Sequence, residues 1–200
     1  AILQPKIDDY SHVISYPVWS PTGKEILFAS NMEERLTGIT YKELYYEKDI
    51  SSGGNLQIVA VDLFIMSVDS GEQKCTTCDL DNSPSWSLLP TWSPDGNQIA
   101  FFGYDFSQLP ESFFSLYIYD LQRKSIKNIA KFSQLPFDLA PLLRGGGPPQ
   151  WSSRGDQLVF SAPNNDDYSV YVINSDGSGL KLLASETGKD FVFPHWTEGH

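Results

Sequence analysis

The stretch PTWSPDGNQIAFF, Pro90–Phe102, holds a tryptophan, a tight polar turn and a short apolar run. The same order recurs as PVWSPTGKEILFA at Pro17–Ala29 and as PQWSSRGDQLVFS at Pro149–Ser161, and a fourth start, PHWTEGH, closes the chain. Tryptophan therefore stands at 19, 92, 151 and 196, at intervals of 73, 59 and 45 residues. Phe28, Phe101 and Phe160 each follow their tryptophan by nine residues. Between them Gly23, Gly96 and Gly155 sit four residues past the tryptophan, in turn chemistry, because glycine takes a positive φ at no steric cost.

A further element recurs as DLFIM (Asp62–Met66), SLYIY (Ser115–Tyr119) and SVYVI (Ser169–Ile173). Short apolar runs rich in aromatic and β-branched residues read as strands covered on both faces. Hairpin signals follow in VDSGE, LQRKS and NSDGSG, and then a less regular strand in QKCTT, IKNIA and LKLLA. Each unit is thus four short strands joined by turns. Four antiparallel strands repeating every ~40–45 residues make one blade of a β-propeller. The interval of 45 residues fits directly, and the longer ones are explained by insertions. The largest insertion lies between the second and third strands of the first unit, over residues 31–61.

These residues resemble a known family. P-x-W-S-P-D-G-x-x-I-A-F followed by a D-L-Y-V-M-like strand is similar to the TolB-type WD40-like (PD40) β-propeller repeat. Pro90–Phe101 matches it position by position, and Pro17–Phe28 departs conservatively. After Trp151, Ser153 and Arg154 replace Pro and Asp. The resemblance implies an all-β propeller of four-stranded antiparallel blades, with about three blades present out of a ring of six. The expected division is the end of a preceding blade and a linker at 1–16, blades at 17–89, 90–148 and 149–193, and the start of another at 194–200. Three blades leave β-edges and apolar faces open, so the native protein is expected to continue at both ends. The resemblance also implies a periplasmic or extracellular protein.

Composition narrows function. Hydrophobic residues are 40% of 200, enough for a core, and the formal net charge is −11. Lys and Arg total 14 and are scattered, whereas a nucleic-acid face needs them clustered. No nucleic acid is therefore expected as partner. No apolar run approaches the ~20 residues of a membrane helix, and AILQPKIDDY lacks the pattern of a signal peptide.

The repeated Trp19, Trp92, Trp151 and Trp196 could form a ligand platform, but recurrence with the same neighbours points to packing between blades. Cys75-Thr-Thr-Cys78 resembles a redox or zinc motif. Redox pairs of that spacing sit at helix N-termini and zinc takes four ligands, so structural cysteines are expected, free or linked across a turn at Thr77. Arg144-Gly-Gly-Gly-Pro-Pro precedes a strand rather than a helix and reads as a connecting loop. Asn174-Ser-Asp176-Gly-Ser-Gly179 lacks the later Glu of a calcium loop and reads as a hairpin turn. Neither cofactor nor metal is expected.

Pro84-Ser-Trp86 imitates the repeat start without its turn glycine or second strand, so Trp86 reads as a loop residue open to solvent. The insertion holds YKELYYEKD, Tyr41–Asp49. Its plain reading is a solvated excursion with a short helix; its functional reading is a recognition lip, since tyrosine gives large contact area at low entropy cost. Tyr41, Tyr45, Tyr46 and Trp86 are the candidate binding anchors. Two functions fit: a non-catalytic scaffold for protein or peptide, as the TolB-like resemblance implies, or the propeller domain of a larger hydrolase such as a prolyl-oligopeptidase-like peptidase. The chain has no G-x-S-x-G nucleophile elbow, so chemistry in the second case would lie elsewhere. His12, His195 and His200 are too few and too terminal for a histidine-metal lyase.

Overall fold

A computed structural model describes residues 14–31, 36–40, 57–80, 82–106, 113–132, 147–164 and 167–197. Its described elements are all strands. The first sheet holds β1 (Ile14–Trp19), β2 (Glu25–Ser30), β5 (Asp62–Ser67) and β6 (Gln73–Cys75), with β3 (Leu36–Thr40) and β4 (Gln57–Val59) forming a separate two-stranded ribbon between β2 and β5 in sequence. The second holds β7 (Trp86–Trp92), β8 (Gln98–Asp105), β9 (Phe113–Asp120) and β10 (Ser125–Lys131). The third holds β11 (Gln150–Trp151), β12 (Gln157–Asn164), β13 (Asp167–Asn174) and β14 (Lys181–Ala184). In all three the strands lie in chain order and pair antiparallel. The six strands expected at Glu25–Ala29, Gln98–Phe102, Gln157–Ser161, Asp62–Met66, Ser115–Tyr119 and Ser169–Ile173 are all strands, each running slightly further.

The repeat has a direct structural meaning. The phenylalanine of each second strand faces the aromatic of the third in register: Phe28 opposite Phe64, Phe101 opposite Tyr117, Phe160 opposite Tyr171. The three pairs stack with ring centroids 5.7, 5.4 and 5.8 Å apart. Cross-strand aromatic pairs of this kind fix register as well as stabilising the sheet. The turn between first and second strands is closed by the serine after each tryptophan. Ser20, Ser93 and Ser152 accept through Oγ from the backbone N–H of Glu25, Gln98 and Gln157, at 3.1, 2.9 and 3.1 Å. The turn glycine takes a φ of +70 to +73°, which a side chain would strain, and donates to the carbonyl of that same serine.

The core lies between sheets. One cluster joins Leu27, Ala29 and Leu63 of the first sheet, with Val61 just before β5, to Trp92, Ile99, Phe101 and Tyr119 of the second. Another joins Ala100, Phe102, Phe114 and Leu116 to Trp151, Leu158 and Phe160 of the third. Trp92 and Trp151 are 7% and 9% exposed, each packed in the cluster shared with the preceding sheet, whereas Trp19 is 58% exposed and Trp196 is 38%. Trp196 still reaches the third sheet, its Nε1 donating to the Gln150 carbonyl at 2.9 Å. Burial raises the phenol pKa of Tyr117, Tyr119 and Tyr171, whose rings lie inside these layers.

One expectation is corrected. Trp86 is the first residue of β7, opposite Tyr104, and is half-buried rather than a solvent-exposed loop residue. A bulge between Leu88 and Thr91, with Leu89 at φ 53°, interrupts the strand's alternation and hides its true start. Tyr16 and Phe193, at the same place before Pro-x-Trp, have φ of 52 and 54°. The insertion carries a strand near each of its ends, where the β-branched residues of LTGIT and QIV favour pairing. The rest of it, Tyr41–Asp49 included, lies outside the described residues, and with it the solvated excursion and short helix expected there.

Candidate functional site

Antiparallel order fixes which connections share an end of the molecule. Within each sheet the second-to-third connection and the return to the next first strand emerge at one end, and the two tight turns at the other. The first sheet's insertion and both long connections of the second, after Phe106 and after Phe132, therefore leave from the same end.

Trp86 stands at that end. Its Nε1 donates to the Val59 carbonyl at 2.9 Å, at the foot of the β3–β4 ribbon. A parallel bridge joins Val61 to Trp86: the Val61 N–H donates to the Ser85 carbonyl at 3.1 Å, and the Ser87 N–H to the Val61 carbonyl at 2.7 Å. The Trp86 ring packs edge-on against Phe106, centroids 5.2 Å apart. The Phe106 N–H donates to Ser85 Oγ at 3.1 Å. The ribbon is thus bolted to the second sheet, and Trp86 is the residue that joins the insertion, β7 and the start of the next long connection. Tyr41, Tyr45 and Tyr46 lie outside the described residues, so the structure places one of the four candidate anchors. Phe106 and Ser85, which carry the brace, were missed; their signal is only their closeness to Trp86 in three dimensions.

The opposite end is made of short, self-satisfied turns. Hydrogen bonds from the Ser93 hydroxyl and then from Asn97 hold the Asp95 carboxyl below its ordinary pKa. The Arg123 backbone N–H at 2.8 Å, with its guanidinium at 2.7 Å, does the same for Asp120. Ser178 does it for Asp176. Carboxylates engaged in this way stitch the turns together. A groove of about 510 Å³ between the first two sheets reaches this end, lined among others by Glu25, Glu72, Lys74, Tyr119 and Lys124. Among the described residues that line it, no nucleophile has a base beside it.

Comparison with known proteins bears on the fold. TolB from Acinetobacter baumannii is similar over 92% of this chain and 35% of its own, at a TM-score of 0.56 and 16% identity. A putative TolB from Agrobacterium tumefaciens is similar over 86% of this chain and 50% of its own, at 0.52 and 20%. The chain has a β-propeller fold. A chain of the nidogen/laminin complex is similar over 88% of this chain and 50% of its own, at 0.51 and 13%. This propeller chain therefore spans about a third to a half of the length of these three solved chains. No protein-family model matches it, and a search of the curated proteins gave no match. Identities this low speak for the fold and leave function to the geometry of the site.

Proposed function

We propose that this propeller is a non-catalytic docking scaffold of an exported protein, and that it holds a protein or peptide at the end where its long connections emerge. The observation that carries this reading is the convergence of added chain at one end, with Trp86 bracing the insertion's ribbon there. Loops on a rigid scaffold are where binding concentrates, and buried aromatic anchors dominate binding energy. Tyr41, Tyr45 and Tyr46 are the insertion's anchors, and Trp86 fixes the base they stand on. The net charge of −11 favours a protein partner over nucleic acid. The TolB-like fold and the nidogen/laminin likeness accord with a role in assembly between proteins.

The test is deletion of Glu33–Gly54. The shortened chain should keep its β-sheet circular dichroism and capture its partner from the native compartment at least about tenfold less well, the loss of roughly 1.4 kcal/mol. Undiminished capture by the folded deletion removes the insertion as the site.

A further inference from the structure

Two departures from the repeat meet at one point in the first blade. Two residues before the paired aromatic of the third strand, the second and third blades carry buried serines, Ser115 and Ser169. The first blade carries Asp62 there, 1% exposed. Its outer strand alone ends in Cys-Thr-Thr-Cys, where Cys75 and Cys78 form a disulfide with Cα atoms 5.8 Å apart. Between them Thr77, fully buried, donates through Oγ1 to an Asp62 carboxylate oxygen at 3.0 Å and accepts from the Leu63 N–H at 2.9 Å. Thr76 donates to the Leu63 carbonyl through both its N–H, at 2.8 Å, and its hydroxyl, at 2.9 Å. This turn is held to β5 independently of the sulfur–sulfur bond.

Both sulfurs and one carboxylate oxygen of Asp62 lie within 4.8 Å of one another. The Cys78 N–H donates to Cys75 Sγ at 3.1 Å, an interaction that favours a thiolate. A tetrahedral zinc ion with Zn–S near 2.3 Å sets its ligands roughly 3.8 Å apart, a spacing a two-residue turn between cysteines can span. Both cysteines are half-buried, and the groove between the first two blades reaches Cys75. A cation therefore has a way in.

We propose that the reduced form of this turn is a site for a thiophilic divalent cation of the zinc class, ligated by Cys75, Cys78 and Asp62, with a fourth position open to water. The disulfide is then its gate. A dithiol reductant gives two electrons and two protons to the pair; the Cys75–Cys78 bond breaks, two thiols form, and the reductant's sulfurs join in a disulfide of their own. The cation then binds both sulfurs as thiolates and releases their two protons to solvent. A disulfide oxidant closes the site: it takes two electrons from the thiolates and two protons from solvent to become a dithiol, while the Cys75–Cys78 bond re-forms and the cation is released. The plain alternative, in which Asp62 only caps the turn and the disulfide only staples it, predicts no cation binding in either state.

The full chain is reduced with a dithiol, freed of it without oxygen, and titrated with cobalt(II) as an absorbance probe for zinc. The expected result is one ion per reduced chain with thiolate-to-metal charge-transfer absorbance, displaced by zinc, and none for the oxidised chain. Asp62→Ser, which places the second and third blades' residue at this position, should weaken binding at least about tenfold while leaving the two thiols in place. Zinc should also shield Cys75 and Cys78 of the unaltered reduced chain from alkylation, a readout that needs no variant. A reduced, folded chain that shows no charge transfer and no shielding overturns the proposal, and so does a folded Asp62→Ser chain with unchanged affinity.

Discussion

Trp92→Ala is the perturbation that tests the packing between blades. The side chain is 7% exposed and lies among Leu27, Ala29, Val61 and Leu63 of one blade and Ile99, Phe101 and Tyr119 of the next. A tryptophan buries ~150–250 Å² of surface, worth roughly 4–6 kcal/mol at ~25 cal/mol per Å². The alanine methyl retains a little of that and the surroundings collapse in part, so the expected cost is about 3–5 kcal/mol. Trp19 holds the same place in its repeat but is 58% exposed, and Trp19→Ala should cost only about 1–2 kcal/mol. Among the described residues the Trp92 indole N–H has no acceptor, so Trp92→Phe loses area but no hydrogen bond. It should cost roughly half as much as alanine. Urea unfolding followed by circular dichroism reads all three, since far-ultraviolet dichroism does not depend on any one indole. For a chain of 200 residues, 3–5 kcal/mol corresponds to a melting temperature lower by about 6–20 °C. A Trp92→Ala loss below about 1 kcal/mol, or one equal to that of Trp19→Ala, would refute inter-blade packing as the meaning of the repeat.

Acid should weaken the tight-turn end. The depressed pKa of Asp95 means its contribution is fully present above the ordinary carboxyl value of 3.8 and is lost as pH falls through the lower folded value. Melting of the wild type and Asp95→Asn across that range should show the wild type's advantage shrinking towards acid; an advantage that grows would reverse the sign. Replacing Cys75 and Cys78 together with alanine opens a very short loop, so the loss should be about 2 kcal/mol by denaturant unfolding. No measurable loss would mean that the Thr76 and Thr77 hydrogen bonds alone hold the turn.

The blades were legible in the sequence because each repeat writes its contacts at fixed spacing. Phe28, Phe101 and Phe160 keep their distance from the tryptophan because the turn between has one length, and that length is set by a serine and a glycine. The serine's own role was missed, although Trp-Ser recurs at 19–20, 92–93 and 151–152. Trp86 was misread because the bulge at Leu89 breaks the strand's alternation, and a pattern of period two cannot see through it. Its bond to Val59 spans 27 residues and has no local signature. The Asp62–Thr77 contact was invisible for the same reason, because cysteine spacing was read along the chain while the carboxylate came from the neighbouring strand.

The central claim is that one end of the propeller docks a protein. A photo-crosslinking residue placed at Asn82, exposed in the connection that leads into β7, samples the end with the long connections. The same residue at Asp69 or Arg123 samples the tight turns of the other end. In the native compartment, cross-links to a protein should form from the Asn82 position and be absent from Asp69 and Arg123. Cross-links that form from Asp69 or Arg123 and not from Asn82 would contradict the account.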